Sequence, residues 1–252
     1  MMAVSSTHAE TAAGWATFDP AWYRARHAAV LDMMGVEATE TEAFYTTHGV
    51  ALGHSPNAFF DEAWYRQTYP EVAVGMEQGL WASGFDHYLR AGLLTHSPHW
   101  LFDEHAYRAA APDVTLAMMG SAGYRNGYDH YLRAGDGEMR SGSCFFDPAT
   151  ALALVPGTGR DAACHPFVDY LLRGMAAGPD AAVSVYFDAG WYVQTYPDVR
   201  AAIERGEWLC ALHHYLCNPT PQAFDPGPFF SESFYAAVNP DVVDAVQAGR
   251  LR

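Results

Sequence analysis

Lysine does not occur anywhere in this 252-residue chain. All 14 of its Lys-plus-Arg positions are arginine, and against 29 Asp plus Glu they leave a net charge of -15. That balance excludes the basic stripe a polyanionic nucleic acid requires, and the polybasic patch that holds a protein on an anionic membrane. No apolar run reaches the roughly 18 residues of a membrane span. The opening stretch, Met1 to Gly14, has neither the basic start nor the apolar run of an export signal, so a cytoplasmic location is expected. The four cysteines, Cys144, Cys164, Cys210 and Cys217, match neither a zinc spacing nor a disulfide framework, and are expected as buried free thiols. Catalytic signatures are missing as well: there is no Gly-x-Gly-x-x-Gly, phosphate loop, Asp-x-Asp, Gly-x-Ser-x-Gly or His-Glu-x-x-His. The expectation is therefore a protein that is no enzyme and takes no cofactor or metal.

What the chain does have is apolar material, 50% of residues with 14% aromatic, and a strong internal period. A Phe followed by Asp or Ser recurs at Phe18, Phe60, Phe102, Phe146, Phe187 and Phe230, at spacings of 42, 42, 44, 41 and 43. Ten residues after every Phe but the first stands a proline: Pro70, Pro112, Pro156, Pro197 and Pro240. An aromatic pair recurs four and five residues after Phe, as Trp22-Tyr23, Trp64-Tyr65, Trp191-Tyr192 and Phe234-Tyr235, with Ala106-Tyr107 a partial copy and none after Phe146. Later in each period Asp86-His87-Tyr88-Leu89-Arg90-Ala91-Gly92 returns as Asp129 to Gly135, then loosely as Asp169 to Gly174 and His214 to Leu216. Connectors His54-Ser55-Pro56 and His96-Ser97-Pro98 stand in register with each other.

The punctuation predicts three short helices per period. Asp or Ser after the Phe is an N-cap, and the Phe before it can fold back on the first turn as a staple. The proline ends that helix and opens a second, which closes near Gly79, Gly120, Gly206 and Gly249, where a left-handed cap costs little. The His-Tyr-Leu segment forms the third, closed by Gly92, Gly135 or Gly174. Helices this short are marginal alone, so neighbours must hold them. The expected fold is all-α: a solenoid-like array of about six 42-residue repeats starting near 18, 60, 102, 146, 187 and 230. It spans residues 17–252 behind a disordered tail at 1–16, its last repeat incomplete. The first repeat, with Ala28 in place of the proline, reads as a cap. The fourth, with Pro156-Gly157-Thr158-Gly159, reads as a hinge.

With Phe-Asp, Trp-Tyr, Tyr196-Pro197-Asp198-Val199, Asn239-Pro240-Asp241-Val242 and His-Tyr-Leu-x-x-Gly, the array resembles helical repeats found beside bacterial glycosyltransferases and other polysaccharide-synthesis or surface proteins. The resemblance implies a non-catalytic scaffold or protein-interaction module linked to glycan synthesis, its partner itself or a glycosyltransferase-related protein. It also leaves a carbohydrate-binding module, or the appendage of an absent glycosyltransferase, as alternatives. The connector form Gly-x-x-Glu-Gly-Arg is kept only partly, at Gly135 to Arg140.

Candidate contact residues are few. His87 and His130 share one phase of the repeat, which points to a packing or hydrogen-bonding task performed once per unit. His213 and His214 point about 100° apart on a helix and do not converge on one ion. The repeating Trp-Tyr pairs read as core. Arg90, Arg133 and Arg173 end successive third helices, where they either grip an acidic partner or complement the helix dipole. Val238, Val242, Val243 and Val246 recur at spacings of four, one and three, and part of that stripe has no following helix to cover it; Val242 and Val246 are the candidates for a partner surface there.

Overall fold

The computed structural model describes residues 14–154, 165–173, 183–220 and 223–247. Among them are sixteen α-helices, none longer than eight residues, and no strand beyond an isolated bridge between Gly227 and Phe230. The all-α expectation holds. From the first Phe these are α1 (Pro20–Arg26), α2 (Ala28–Met33) and α3 (Thr41–Phe44), then α4 (Glu62–Thr68), α5 (Pro70–Glu77) and α6 (Gly84–His87). The third and fourth periods contribute α7 (Glu104–Ala110), α8 (Leu116–Ala122), α9 (Gly127–His130), α10 (Pro148–Leu154) and α11 (Pro166–Leu172). The last two contribute α12 (Ala189–Thr195), α13 (Pro197–Glu204), α14 (Ala211–Cys217), α15 (Glu232–Val238) and α16 (Pro240–Gln247).

Each opening helix starts as its sequence dictates. Asp61 accepts the Trp64 N–H at 2.9 Å, Asp103 that of Ala106 at 2.8 Å, and Asp188 that of Trp191 at 2.9 Å, with Ser231 performing the same task for Phe234 at 3.4 Å. The cap residue's own N–H reaches the far end of its own unit: Asp19 donates to the Pro56 carbonyl, Asp61 to Pro98, Asp103 to Gly142, Asp147 to Val183 and Asp188 to Pro226. One backbone bond thus ties each cap to the connector ahead of the next Phe. The connector serine has a second task, since Ser55 and Ser97 accept the N–H groups of Glu62 and Glu104 at 3.1 and 3.0 Å.

Pro70, Pro197 and Pro240 open α5, α13 and α16, and the residue before each proline is forced out of helical geometry, as Tyr69 at φ -122° and ψ 77° shows. Pro112 does not open a helix. There the chain turns, and α8 begins at Leu116 under the Thr115 cap, because a hydroxyl that accepts the Met118 N–H at 3.1 Å is available three residues later. Gly79 and Gly206 close their helices at φ 73° and 79°, as expected, but α8 is closed by Gly123 at φ 75° and not by Gly120, which lies inside it. Gly249 and Gly174 lie outside the described residues, as does the segment Pro156 to Gly159 read as a hinge.

The third helices differ from expectation in kind. While α11 and α14 stay α-helical, those of the first three periods widen after one α turn into π turns, Tyr45–Gly49, Tyr88–Gly92 and Tyr131–Gly135. Their terminal glycines have no positive φ and are not left-handed caps. What they provide is room. A Cβ on Gly92 would stand 2.6 Å from the Tyr65 hydroxyl, and Gly49 and Gly135 are pressed by the hydroxyls of Tyr23 and Tyr107 in the same way. That hydroxyl is pinned: Tyr65 pairs with His87 Nδ1 at 2.9 Å, Tyr107 with His130 at 2.8 Å and Tyr192 with His214 at 2.7 Å. The once-per-unit histidine task is this bond. In the first period Phe44 stands at the end of α3 where His87 ends α6, and Tyr23 bonds to His54 of the connector at 2.7 Å.

Buried carboxylates fix the start of the same helices. Glu62 takes the Gly84 and Phe85 N–H groups at 2.7 and 3.0 Å, and Glu104 those of Gly127 and Tyr128 at 2.9 Å each. In the fourth period the donor side is unchanged but the acid comes from Asp136, which takes the Phe167 and Val168 N–H groups at 2.9 and 3.1 Å. Such a group is costly to bury unless fully bonded, and here each oxygen meets an otherwise orphaned helix-end donor.

The core does not stop at neighbouring periods. One apolar cluster runs from Trp15 to Cys217. Trp15 packs on Tyr88 and Tyr128 and donates to Asp129 at 2.9 Å, so the tail boundary drawn at residue 17 falls too late; residues 1–13 lie outside the described part. Tyr128 donates to the Phe59 carbonyl at 2.8 Å, and Trp100 lies 5.1 Å from His213 of α14. The second period therefore meets the fifth directly.

Candidate functional site

That meeting leaves a cleft of about 720 Å³ between the first two periods and the segment from α11 to α14. The repeat itself aims one wall. On each opening helix the Tyr of the aromatic pair points into the core, and the preceding Trp, about 100° round the helix, points aside. Tyr23, Tyr65 and Tyr192 are fully buried, whereas Trp22, Trp64 and Trp191 are only half-buried, so the pair is split and not wholly core. Trp22 and Trp64 line the cleft, and Trp208, in the turn before α14, faces it from the other side.

The polar lining lies between these indoles. Asp61, which caps α4, stands 4.0 Å from His213 Nε2. The Leu209 N–H donates to His213 Nδ1 at 3.2 Å, which places the proton of the neutral ring on Nε2, facing the carboxylate. Burial, then the neighbouring His214 and Arg26, lowers His213 to about 4, so it is neutral at pH 7. Burial also raises Asp61, against the Trp64 N–H it accepts. His27 and His54 stack at 3.9 Å and 7°. Burial chiefly, with mutual repulsion next, holds His27 down to about 4, and His54 is lowered by burial too. Arg26, Gln67, Arg173 and Glu207 complete the polar rim. Two guanidiniums and two carboxylates cancel there, although the chain as a whole is strongly acidic.

The residues singled out by sequence are not drawn together at this site. Arg173 lines the cleft and pairs with Asp169, one turn back. Arg90 pairs with Asp86 at 3.2 Å and lies over Trp81 at 5.1 Å, and Arg133 pairs with Asp129 at 3.4 Å and lies over Tyr124 at 4.8 Å. Each arginine is occupied by the aspartate four residues before it. Val242 and Val246 sit half-buried on α16.

Among the described residues no group of three or more His, Cys, Asp or Glu side chains is placed to hold a metal ion, and no helix is long and apolar enough to cross a membrane. Cys210 and Cys217 are buried free thiols, while Cys144 is exposed, contrary to the expectation of burial. Cys210 caps α14, accepting the His213 N–H at 3.4 Å. Cys164 lies outside the described residues. Trp208 stands in the register of Trp81 and Tyr124, six residues before the repeated histidine and edge-on to it, a phase the sequence reading did not single out. The Tyr–His bonds were legible in principle, since 22 or 23 residues separate Tyr65 from His87, Tyr107 from His130 and Tyr192 from His214.

No family model matches the chain, and no curated protein or solved structure matches it either.

Proposed function

We propose that this chain is a non-catalytic array of six helical repeats, a solenoid curled until its second and fifth units touch, and that it acts as a scaffold docking a protein helix on its last unit. The observation that carries this reading is the exposure of the sixth unit at positions that are core elsewhere: Phe230 is 43% exposed and Tyr235 40%, where Phe60 and Tyr65 are 2% and 0%. In the other units a third helix covers these positions. Glu232 stands in the register of Glu62 and Glu104, the carboxylates that receive that helix's first N–H groups, and Tyr235 in the register of the tyrosines that pair with its histidine. The fitting occupant is a helix of the same pattern, Gly-aromatic-Asp-His-Tyr, as at Gly127 to Tyr131. The five cap-to-connector bonds support the repeat count. A role in bacterial polysaccharide or surface-glycan synthesis is proposed from the motif's resemblance alone, and the non-catalytic reading rests on the sequence's lack of reaction motifs.

Calorimetric titration with a synthetic peptide spanning residues 125–137 of the chain tests the docking face. Saturable binding by the wild type, lost with Tyr235→Glu and with a peptide carrying His130→Ala, is the expected result. Equal heats for wild type and Tyr235→Glu would defeat the reading.

A further inference from the structure

The cleft between the first two units and the fifth has a composition that a scaffold does not need. Three half-buried indoles, Trp22, Trp64 and Trp208, face a space lined by Asp61, Gln67 and His213. We propose that this cleft binds a neutral saccharide. The proposal stands independently of the docking face on the last unit.

The chemistry narrows the ligand by exclusion. An apolar ligand filling the cleft would leave the Asp61 carboxylate with no more than its helix-cap bonding and the His213 Nε2–H without a partner once water is displaced, which is costly. A phosphate-rich or polyanionic ligand would meet Asp61 and Glu207, and the two arginines only balance them. A sugar satisfies both requirements at once. Its C–H faces pack on indole rings, and its hydroxyls both donate and accept. The 4.0 Å separation of Asp61 Oδ2 from His213 Nε2 is too long for a hydrogen bond and suits one inserted hydroxyl, which would donate to the carboxylate and accept from the imidazole. The volume of about 720 Å³ lies within the range of roughly 300–1,000 Å³ common to small-molecule sites and leaves room for a short oligosaccharide.

The indoles are also held in place before any ligand arrives. Trp64 meets Tyr69 edge-on at 6.1 Å and 81°, and Trp208 meets His213 and His214 at 5.3 and 5.0 Å. A pre-ordered aromatic wall avoids the ordering cost that weakens binding by flexible side chains.

Tryptophan fluorescence titrated with neutral gluco-, galacto- and manno-oligosaccharides tests the proposal. At least one series should quench the wild type saturably. Trp208→Ala and Asp61→Asn should each weaken binding by about ten-fold or more. Asparagine still caps α4, so the melting temperature of Asp61→Asn should hold and separate lost recognition from lost fold. Tyr235→Glu should bind the sugar as the wild type does, which keeps this test apart from that of the docking face. Absence of saturable quenching with all three series, or wild-type affinity in both cleft variants, would overturn the proposal.

Discussion

The second and sixth units carry nearly the same first helix, yet one is core and the other surface. Asp61 and Ser231 cap α4 and α15 alike, Pro70 and Pro240 open the next helix alike, and Tyr65 and Tyr235 stand at the same register. Tyr65 is fully buried against Gly92 and His87, and Tyr235 is 40% exposed. The difference is the third helix, present as α6 in one unit and without a counterpart among the described residues of the other. Local sequence thus suffices to form the helical pair. Burial of its aromatic face depends on a separate element that arrives later in the chain or from a partner.

The comparison is broken most sharply by truncating the two tyrosines. Tyr65→Ala should cost about 3–5 kcal/mol in urea melts, because it opens a cavity under α6, and Tyr235→Ala should cost under about 1 kcal/mol. Equal losses would show that the sixth unit is covered after all. Next comes Gly92→Ala, whose methyl would collide with the Tyr65 hydroxyl, for about 1–3 kcal/mol. Gly190→Ala, where the nearest atom is 3.7 Å away, should be nearly neutral by the same melts. Removing only the hydroxyl is milder: Tyr65→Phe leaves His87 Nδ1 without its partner and should cost about 1–3 kcal/mol, while Tyr235→Phe should cost nothing measurable.

A pH series sharpens the contrast between buried and exposed units. His27 and His213 are held down to about 4 and His99 to about 3, chiefly by burial. The unfolded chain takes up these protons near pH 6.5 and the folded chain does not, so their contribution is complete above 6.5 and is lost as pH falls toward 4. Asp136 opposes this. Burial pushes its carboxyl up to about 7, so it favours the folded state increasingly as pH falls from 7 toward its unfolded value near 3.8. Melting temperatures from pH 7 to 4 should therefore drop more steeply in Asp136→Asn than in the wild type. The smallest expected effect on stability is that of Phe234→Glu, within about 0.5 kcal/mol, since the side chain is 68% exposed.

Much of this could be read from the residues in order. N-caps, helix-opening prolines and the left-handed Gly79 and Gly206 are local devices, set by a few neighbouring atoms, and they stand where the sequence places them. Readings failed where a distant group intervened. Gly92 looked like a helix terminator, but its lack of a side chain serves the Tyr65 hydroxyl, 27 residues earlier in the chain. The arginines at the ends of the third helices, read as either gripping an acidic partner or complementing the helix dipole, each pair with the aspartate one turn back, a local contact. Trp64 looked like core because it shares a phase with Trp22, and only the packing of distant segments brings both to one cleft with Trp208.

By itself, then, the sequence determined the period, the helix starts at the Asp and Ser caps and at Pro70, Pro197 and Pro240, and much of the aromatic core, because caps, prolines and aromatic spacing act within a turn or two. Only the tertiary structure decided that Trp15 enters the core and that the first two units close on the fifth around a polar cleft. It also decided that the same tyrosine is interior in one unit and surface in another. Those outcomes depend on contacts between residues separated by tens to more than a hundred positions, such as Trp15 with Asp129, and no local pattern encodes which of several similar faces will meet.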